Sequence, residues 1–292
     1  MFEGTYTALV TPFAKGKLDF ASFQKLIREQ ANGGVDGIVP AGTTGESPTL
    51  ATDEHLAIIE AAVKYANKKL KVIAGTGANS TSEAIHLTQG AERLGADASL
   101  QVTPYYNKPS QEGLFQHFRA IARATKLPII LYSIPGRCNV SIGIETLVRL
   151  QKACKNIVAI KEAGGDADRV SQIRHALGKN MTVLSGDDAL TLPFMSVGAK
   201  GVISVASNLI PKDISRMVNH YASGKHKAAL AIHERLYPLF KALFVETNPV
   251  PIKTAMALAG KTEGALRLPL TGMSQQNEVL LKKALKAAKI RL

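Results

Sequence analysis

One lysine of this sequence stands where its amine could act as a nucleophile. Lys161 follows the apolar stretch Ile157–Ile160, a pattern typical of a buried strand with an amine at its carboxyl end. An apolar environment favours the neutral amine, which is the form that attacks a carbonyl, and thereby activates a lysine for Schiff-base chemistry. Lys161 is therefore the candidate nucleophile for a keto substrate, although the pattern also fits a lysine that only marks where a strand meets water.

Several other polar side chains follow short apolar runs, and their types suit the same chemistry. The glycines of Gly42–Ser47 let a ligand approach the backbone, where hydroxyls and N–H groups can hold a carboxylate. Tyr105 and Tyr106 follow one run and Tyr132 ends another, and a phenol can give and take protons during imine formation. Arg137 can hold a carboxylate with two hydrogen bonds. Each feature alone also fits a helix-capping turn, a core tyrosine or a surface ion pair, but together they indicate one imine-forming site.

Nucleotide and metal chemistry have little support in the sequence. Gly75–Ser80 has the first two glycines of a dinucleotide fingerprint but not the third, so we expect a tight turn there, with Ser80 or Thr81 near a helix cap. The histidines show no metal-binding spacing, and Cys138 and Cys154 form no paired motif. We therefore predict no catalytic metal and two free thiols.

The candidate residues must be positioned by a fold in which short strands and helices alternate. Eight apolar runs are each followed by a turn signal and a helical pattern. The runs are Tyr6–Val10, Gly37–Pro40, Lys71–Ala74, Ala98–Val102, Ile129–Tyr132, Ile157–Ile160, Thr182–Leu184 and Gly201–Ser204. Eight such units predict a closed (β/α)8 TIM barrel, an α/β fold whose active site is assembled at the carboxyl ends of the strands.

After the last run the pattern becomes purely helical. We therefore predict a catalytic barrel over residues 1–210 and a C-terminal helical region over residues 211–292. No linker-like or low-complexity segment separates the two parts. We expect the helical region to pack on the barrel or on a neighbouring subunit.

Composition restricts the partners. The chain of 292 residues is 46% hydrophobic and 20% charged, with no apolar run long enough for a membrane span and no secretion signal. We accordingly expect a cytoplasmic protein without a membrane partner. The net charge of +13 favours anionic partners, but we expect no nucleic acid among them, because the chain has no Trp, only 5% aromatic residues and no recognition motif.

The motifs as a set resemble the dihydrodipicolinate synthase family, within the Schiff-base lyase superfamily that includes N-acetylneuraminate lyase. The resemblance covers essentially the whole chain. It rests on Tyr6–Phe13 (YTALVTPF), Gly42–Glu46 (GTTGE), Thr103–Asn107 (TPYYN), Pro135–Arg137 (PGR), Ile160–Ala163 (IKEA), Leu184–Asp188 (LSGDD) and Gly201–Val205 (GVISV).

The resemblance implies a reaction and a set of catalytic roles. Lys161 would form an imine with pyruvate, and Tyr132 would donate and accept protons beside it. Thr43 and Tyr106 would complete a proton relay with Tyr132, with Tyr106 reaching in from a neighbouring subunit. The reaction would condense pyruvate with L-aspartate 4-semialdehyde to give 4-hydroxy-tetrahydrodipicolinate, in diaminopimelate and lysine biosynthesis.

Binding roles and assembly follow from the same resemblance. Thr44 and Ile203 would bind the pyruvate unit largely through backbone groups, and Arg137 would hold the carboxylate of aspartate semialdehyde. No cofactor is implied, because the iminium charge itself serves as the electron sink. The family is usually a homotetramer built as a dimer of dimers.

A lysine effector site is a further implication. Its matching positions are Ser47, Pro48, Thr52, His55, Asn79, Ser80, Glu83 and Tyr105. Asn79, Glu83 and Tyr105 keep the groups expected to hold the effector. Thr52, however, stands where the lysine-sensitive pattern has a second histidine, and Pro48 lacks a backbone donor. We therefore predict that lysine inhibits weakly or not at all, unless His55 compensates.

Two alternative functions stay open at this level. A related Schiff-base lyase could act on sialic acid or a keto-deoxy sugar acid, but a polyhydroxylated partner needs hydroxyl-reading side chains where this chain has Arg137. A non-catalytic barrel could sense a keto acid, but such a sensor is expected to lose the lysine or the tyrosine. Lys161 and Tyr132 are both present.

Overall fold

The protein is built around a closed barrel of eight parallel strands. The computed structural model describes residues 2–291 and confirms the predicted TIM barrel. In their order around the barrel, the strands are β1 (Gly4–Ala8), β4 (Gly37–Val39), β5 (Lys71–Gly75), β6 (Ala98–Val102), β7 (Ile129–Ser133), β8 (Ile157–Glu162), β9 (Thr182–Ser185) and β10 (Gly201–Ser204). β10 pairs with β1 and so closes the sheet.

Helices surround the barrel and continue beyond it. They are α1 (Phe20–Gly33), α2 (Thr52–Ala66), α3 (Thr81–Arg93), α4 (Gln111–Arg123), α5 (Pro135–Cys138), α6 (Ile144–Ala153), α7 (Ala167–Leu177), α8 (Thr191–Ser196), α9 (Pro211–Ala222), α10 (His226–Ala242), α11 (Val250–Leu258) and α12 (Gln275–Ala287). Short 3-10 helices span Ser47–Thr49, Gly178–Asn180 and Ala206–Asn208. Over residues 2–291, no helix combines the length and the apolar character that crossing a bilayer requires.

The alternation of side chains along the strands separates an inner core from an outer one. The inner core contains Tyr6, Val39, Ile73, Leu100, Ile130, Leu184 and Ile203. The outer core lies between strands and helices, where Phe23 of α1, Phe118 of α4 and Phe194 of α8 are fully buried. Burial of each such ring stabilises the fold by about 1.5–3 kcal/mol. The barrel is therefore a packed scaffold that leaves its strand ends for chemistry.

A small antiparallel hairpin follows β1. Its strands are β2 (Phe13–Ala14) and β3 (Lys17–Leu18), and the turn between them has left-handed backbone at Lys15 (φ 50°) and Gly16 (φ 76°). Two successive positive φ values are what a tight hairpin turn requires. The sequence pattern did not predict this hairpin, because strands of two residues are too short to show an alternating pattern.

The first C-terminal helix completes the barrel. α9 packs against β1 and α1, which is the position of the eighth helix of a TIM barrel, and α10 packs on α9 and α12. The proposed division between residues 210 and 211 thus separates β10 from its own helix. The division of the chain into two regions stays a prediction.

Candidate active site

The strand ends bring Lys161 and Tyr132 face to face. β7 and β8 pair with Tyr132 opposite Lys161, so the two side chains lie on the same face of the sheet. The Lys161 Nζ atom is 4.1 Å from the centre of the Tyr132 ring, and both residues are buried, at 5% and 4% exposure. A Cβ atom on Gly186 would lie 3.0 Å from Lys161 Cε. Glycine at this position therefore leaves room for the lysine side chain.

The environment of Lys161 favours the neutral amine. Burial lowers the pKa of Lys161 to about 7, with a further lowering by the charge of Arg137 and an opposing effect of the Asp188 carboxylate. Within residues 2–291 the amine forms no ion pair. The lowered pKa makes the neutral amine accessible near neutral pH, and this is the state required of a nucleophile toward a carbonyl.

Asp188 is a site residue that the sequence analysis did not single out. Burial raises the pKa of Asp188 to about 6, although its carboxylate accepts hydrogen bonds that lower it. The donors are the Ser204 hydroxyl and the backbone N–H groups of Val205 and Ala206. Asp188 therefore fixes the chain just after Ile203 while its charge acts on Lys161. Its place in the quoted LSGDD motif, directly after β9, was the available signal.

Tyr132 stays protonated at neutral pH. Burial raises the pKa of the Tyr132 phenol to about 12, against the lowering effects of the Arg137 charge and of a hydrogen bond with the Thr43 side chain. The structure thus brings Lys161, Tyr132 and Thr43 together, and their catalytic roles stay predictions. A protonated phenol beside a neutral amine can donate a proton to a leaving hydroxyl.

Thr44 and Arg137 are joined by a residue of the C-terminal region. The Thr44 hydroxyl accepts a hydrogen bond from Asn248 Nδ2 at 3.0 Å, and Arg137 Nη2 donates to the Asn248 carbonyl at 2.7 Å. Arg137 itself is exposed, on the short helix α5 at the carboxyl end of β7. Ile203 is fully buried near the end of β10. The sequence analysis missed Asn248, because its contacts depend on how the helical region folds back over the barrel.

Tyr106 lies apart from the other predicted residues. Its side chain is 91% exposed, and its backbone is left-handed, with φ of 72°. For a non-glycine residue this conformation is uncommon and costs free energy, and it persists only where the surroundings impose it. The role of Tyr106 in the proton relay stays a prediction, since that role requires a second subunit.

Several of the residues predicted to bind lysine lie close to one another. The Glu83 carboxylate acts on the pKa values of both Tyr105 and His55, and Asn79 donates to the Tyr105 carbonyl at 3.3 Å. His55 is buried, and its Nε2 atom lies 2.6 Å from the Gly75 carbonyl oxygen. One ring nitrogen of His55 is therefore already engaged within the fold. Ser47 lies after the GTTGE loop, at the start of the first 3-10 helix.

The structure also describes both cysteines and the side chains that could hold a metal ion. Cys138 and Cys154 are buried free thiols, as predicted, and burial raises the pKa of Cys138 to about 11. A thiol with so high a pKa is a poor nucleophile at neutral pH. Of the residues that the structure describes, no three His, Cys, Asp or Glu side chains form a group able to hold a metal ion.

Known proteins resemble the chain over almost its full length. The sequence pattern of the dihydrodipicolinate synthetase family matches residues 1–288. A protein named 4-hydroxy-tetrahydrodipicolinate synthase from Sulfurihydrogenibium sp. is 55% identical over 287 residues, which cover 98% of each chain.

Solved structures show the same similarity. The 4-hydroxy-tetrahydrodipicolinate synthase from Methylacidiphilum fumariolicum SolV is 54% identical, with a TM-score of 0.98, and the match covers 99% of this chain and 96% of that one. The chloride-inhibited dihydrodipicolinate synthase from Acinetobacter baumannii, complexed with pyruvate, is 45% identical with a TM-score of 0.97, and the match covers 99% and 100% of the two chains.

Proposed function

The chain belongs to the dihydrodipicolinate synthetase family, and we propose that it condenses pyruvate with L-aspartate 4-semialdehyde. The product is 4-hydroxy-tetrahydrodipicolinate, an intermediate of diaminopimelate and lysine biosynthesis. The chain is thus a lyase of the class I aldolase type. Its relatives named for this product match over nearly their whole length, which supports the same reaction here.

The observation that carries the proposal is the buried amine of Lys161 beside the phenol of Tyr132. The amine attacks the keto carbon of pyruvate to form a carbinolamine. Tyr132 donates the proton with which the carbinolamine hydroxyl leaves as water, and an iminium ion results. The high pKa of Tyr132 suits this role, because the phenol holds a proton until the reaction requires it.

The iminium ion then makes the pyruvate methyl group acidic. Loss of a methyl proton gives an enamine, whose terminal carbon attacks the aldehyde carbon of the second substrate. A carbon–carbon bond forms, and the aldehyde oxygen takes up a proton to become the 4-hydroxyl. The amine of the second substrate next attacks the iminium carbon, which closes the ring and releases Lys161. One water molecule leaves in the whole sequence.

The two substrates are oriented by residues that Asn248 connects. Thr44 and Ile203 hold the pyruvate unit, and the hydrogen bond from Asn248 fixes the Thr44 hydroxyl. Arg137 binds the carboxylate of aspartate semialdehyde. Only part of its five-donor guanidinium is used by the Asn248 carbonyl, so other donors remain for a carboxylate.

The proton relay and the assembly are linked through Tyr106. Thr43 and Tyr106 pass protons between Tyr132 and solvent, and Tyr106 comes from a neighbouring subunit of a dimer of dimers. The exposure of Tyr106 in a single chain and its strained backbone support a position at an interface. We also propose that the protein acts in the cytoplasm.

Turnover with two alternative electrophiles tests the proposal. Purified protein with pyruvate is supplied with either L-aspartate 4-semialdehyde or N-acetylmannosamine, and loss of pyruvate is followed together with the cyclic product. We expect turnover with the semialdehyde only. Turnover with N-acetylmannosamine, or consumption of pyruvate without a heterocyclic product, would assign the chain to another reaction.

A further inference from the structure

A second buried lysine lies close to the proposed pyruvate site. Lys253 of α11 forms an ion pair with Glu46, and the two side chains are 2% and 0% exposed. Lys253 Nζ also donates to the Ala265 carbonyl at 2.8 Å, and the Glu46 carboxylate accepts from the backbone N–H of Arg267 at 3.1 Å. The Glu46–Lys253 pair is thus fully enclosed and hydrogen-bonded on both sides.

Glu46 ends the turn that carries Thr43 and Thr44. Its backbone is left-handed, with φ of 55°, and its N–H donates to the Thr43 carbonyl at 3.1 Å. The preceding carbonyl, that of Gly45, accepts a hydrogen bond from the Thr11 hydroxyl at 2.7 Å. The Glu46 side chain therefore anchors the end of a turn that Thr11 also holds, through the Gly45 carbonyl.

The partners of this turn come from the C-terminal region. Asn248 donates to Thr44, Lys253 pairs with Glu46, and Arg267 binds both carboxylate oxygens of Glu54 at 2.6 Å. Arg267 also donates to the Thr49 carbonyl at 2.9 Å. Residues 248–267 thus form the outer wall of the loop that leads from β4 into α2.

A buried ion pair contributes little net free energy to the stability of a fold. Desolvation of two charges commonly outweighs their attraction, and apolar residues of similar volume often serve equally well. The charged hydrogen bonds instead fix the position of the Glu46 side chain, because a carboxylate with two fixed donors has one preferred position. The pair is therefore better explained by the geometry of the turn than by stability.

We infer that Glu46 and Lys253 are positioning residues, which hold the Thr43–Thr44 turn in the geometry that binds pyruvate. Neither side chain touches the substrate, and both act through the backbone of the turn. The C-terminal helical region is then a working part of the pyruvate site. This inference rests on the proposed function, because it assumes that the turn binds pyruvate.

The test replaces the pair without leaving an unpaired charge. In the full-length protein, the double variant Glu46→Leu/Lys253→Met removes both charges and keeps an apolar filling. We expect its thermal unfolding temperature to stay near that of the wild type. The pyruvate concentration that half-saturates reductive trapping of Lys161 should rise by about tenfold or more, because a shift of the turn by less than an ångström misplaces its donors.

A second, milder variant keeps the test informative if the double variant does not fold. Glu46→Asp keeps the charge and the pair but shortens the side chain by one methylene, so the turn must move or the pair must loosen. It should also raise the half-saturating pyruvate concentration while the pH dependence of trapping is unchanged, since the pair does not set the pKa of Lys161. Lys261→Met is the matched control, because Lys261 forms a Lys–Glu pair with Glu29 of α1 that makes no hydrogen bond to the turn. We expect pyruvate saturation of this variant to match the wild type.

Three outcomes separate this inference from the proposed function. Raised half-saturation in Glu46→Asp and in the double variant, with Lys261→Met unaffected, supports the positioning role. Wild-type saturation in the folded double variant or in Glu46→Asp overturns that role and leaves the proposed function standing. Absence of any pyruvate adduct in the wild type contradicts the proposed function itself.

Discussion

Lys161 and Lys253 are buried to nearly the same degree, at 5% and 1% exposure, yet their surroundings differ in one respect. The amine of Lys253 is paired with the Glu46 carboxylate. The amine of Lys161 faces the ring of Tyr132. The Asp188 carboxylate raises the pKa of this amine through its charge but forms no ion pair with it.

The comparison shows that burial alone does not make a lysine a nucleophile. Burial is the largest cause of a lowered pKa for both amines, but the charge and the hydrogen bond of Glu46 oppose it at Lys253. A lysine paired with a carboxylate keeps its proton, whereas an unpaired one gives it up near neutral pH. We therefore assign a chemical task to Lys161 and a geometric task to Lys253.

The largest effect that separates the two lysines is expected from Lys161→Ala. This variant should lose imine formation and nearly all turnover, because the nucleophile is absent and the amine of Lys253 is enclosed in its ion pair with Glu46. The measurement is the steady-state rate with both substrates, alongside the circular dichroism spectrum. Lys200→Ala is the control, since Lys200 is an exposed lysine. Substantial activity in Lys161→Ala would mean that another amine forms the imine.

A smaller and selective effect is expected from Arg137→Ala. Loss of charged hydrogen bonds to a carboxylate typically costs about 1.5–3 kcal/mol, which corresponds to about 10- to 150-fold in kcat/KM. The loss should fall on aspartate semialdehyde, while the pyruvate concentration that half-saturates imine trapping should change by no more than a few-fold. Equal losses for both substrates would show that Arg137 has a structural role instead.

Charge changes around Lys161 should shift its reactivity by only a few-fold near neutral pH. Imine formation in the wild type should rise with pH through about 7, because the pKa of Lys161 is about 7 and only the neutral amine reacts. Asp188 raises this pKa and Arg137 lowers it. Asp188→Asn should therefore move the rise in imine formation to lower pH, and Arg137→Ala should move it to higher pH. The measurement is the initial rate of reductive trapping with pyruvate between about pH 5 and pH 9. Shifts of the same sign in both variants would refute this electrostatic account.

The smallest effect is expected for free lysine as an inhibitor. The predicted effector site lacks one group of the lysine-sensitive pattern, because Thr52 supplies no second imidazole ring. One missing hydrogen-bonding group costs about 1 kcal/mol, or several-fold in affinity. Inhibition should therefore be weak or absent in a titration at fixed substrate concentrations, and Thr52→His should gain sensitivity where Thr52→Ala does not. Half-inhibition well below millimolar lysine in the wild type would contradict the prediction.

The two lysines also mark what sequence patterns could and could not predict. Lys161 ends an apolar strand, and a parallel barrel places all the carboxyl ends of its strands together, so its position near Tyr132 was expected from local patterns. The place of Thr43 beside Tyr132 was implied only by the family resemblance. Lys253 lies within a helical stretch whose periodicity only indicates a packed helix. Its pairing with Glu46, 207 residues away along the chain, depends on tertiary packing that no local pattern encodes.

The same limit explains two further omissions. Asn248 and its partner Thr44 are 204 residues apart along the chain. Asp188 accepts hydrogen bonds from the backbone after Ile203, and the sequence does not predict the shape of the turn that places it there. Long-range polar contacts of this kind depend on the exact path of loops, which carry weaker sequence signals than strands and helices. Tyr106 is the opposite case, since its predicted partner lies beyond a single chain.

Reductive trapping with residue-level mass spectrometry tests the assignment of the two lysines most directly. The wild-type protein is treated with pyruvate and borohydride, digested and mapped. We expect one reduced pyruvyl unit on Lys161 and none on Lys253 or Lys200, with the yield of the Lys161 adduct rising as pH passes through about 7. An adduct on Lys253, or an unmodified Lys161 under saturating pyruvate, would contradict the account.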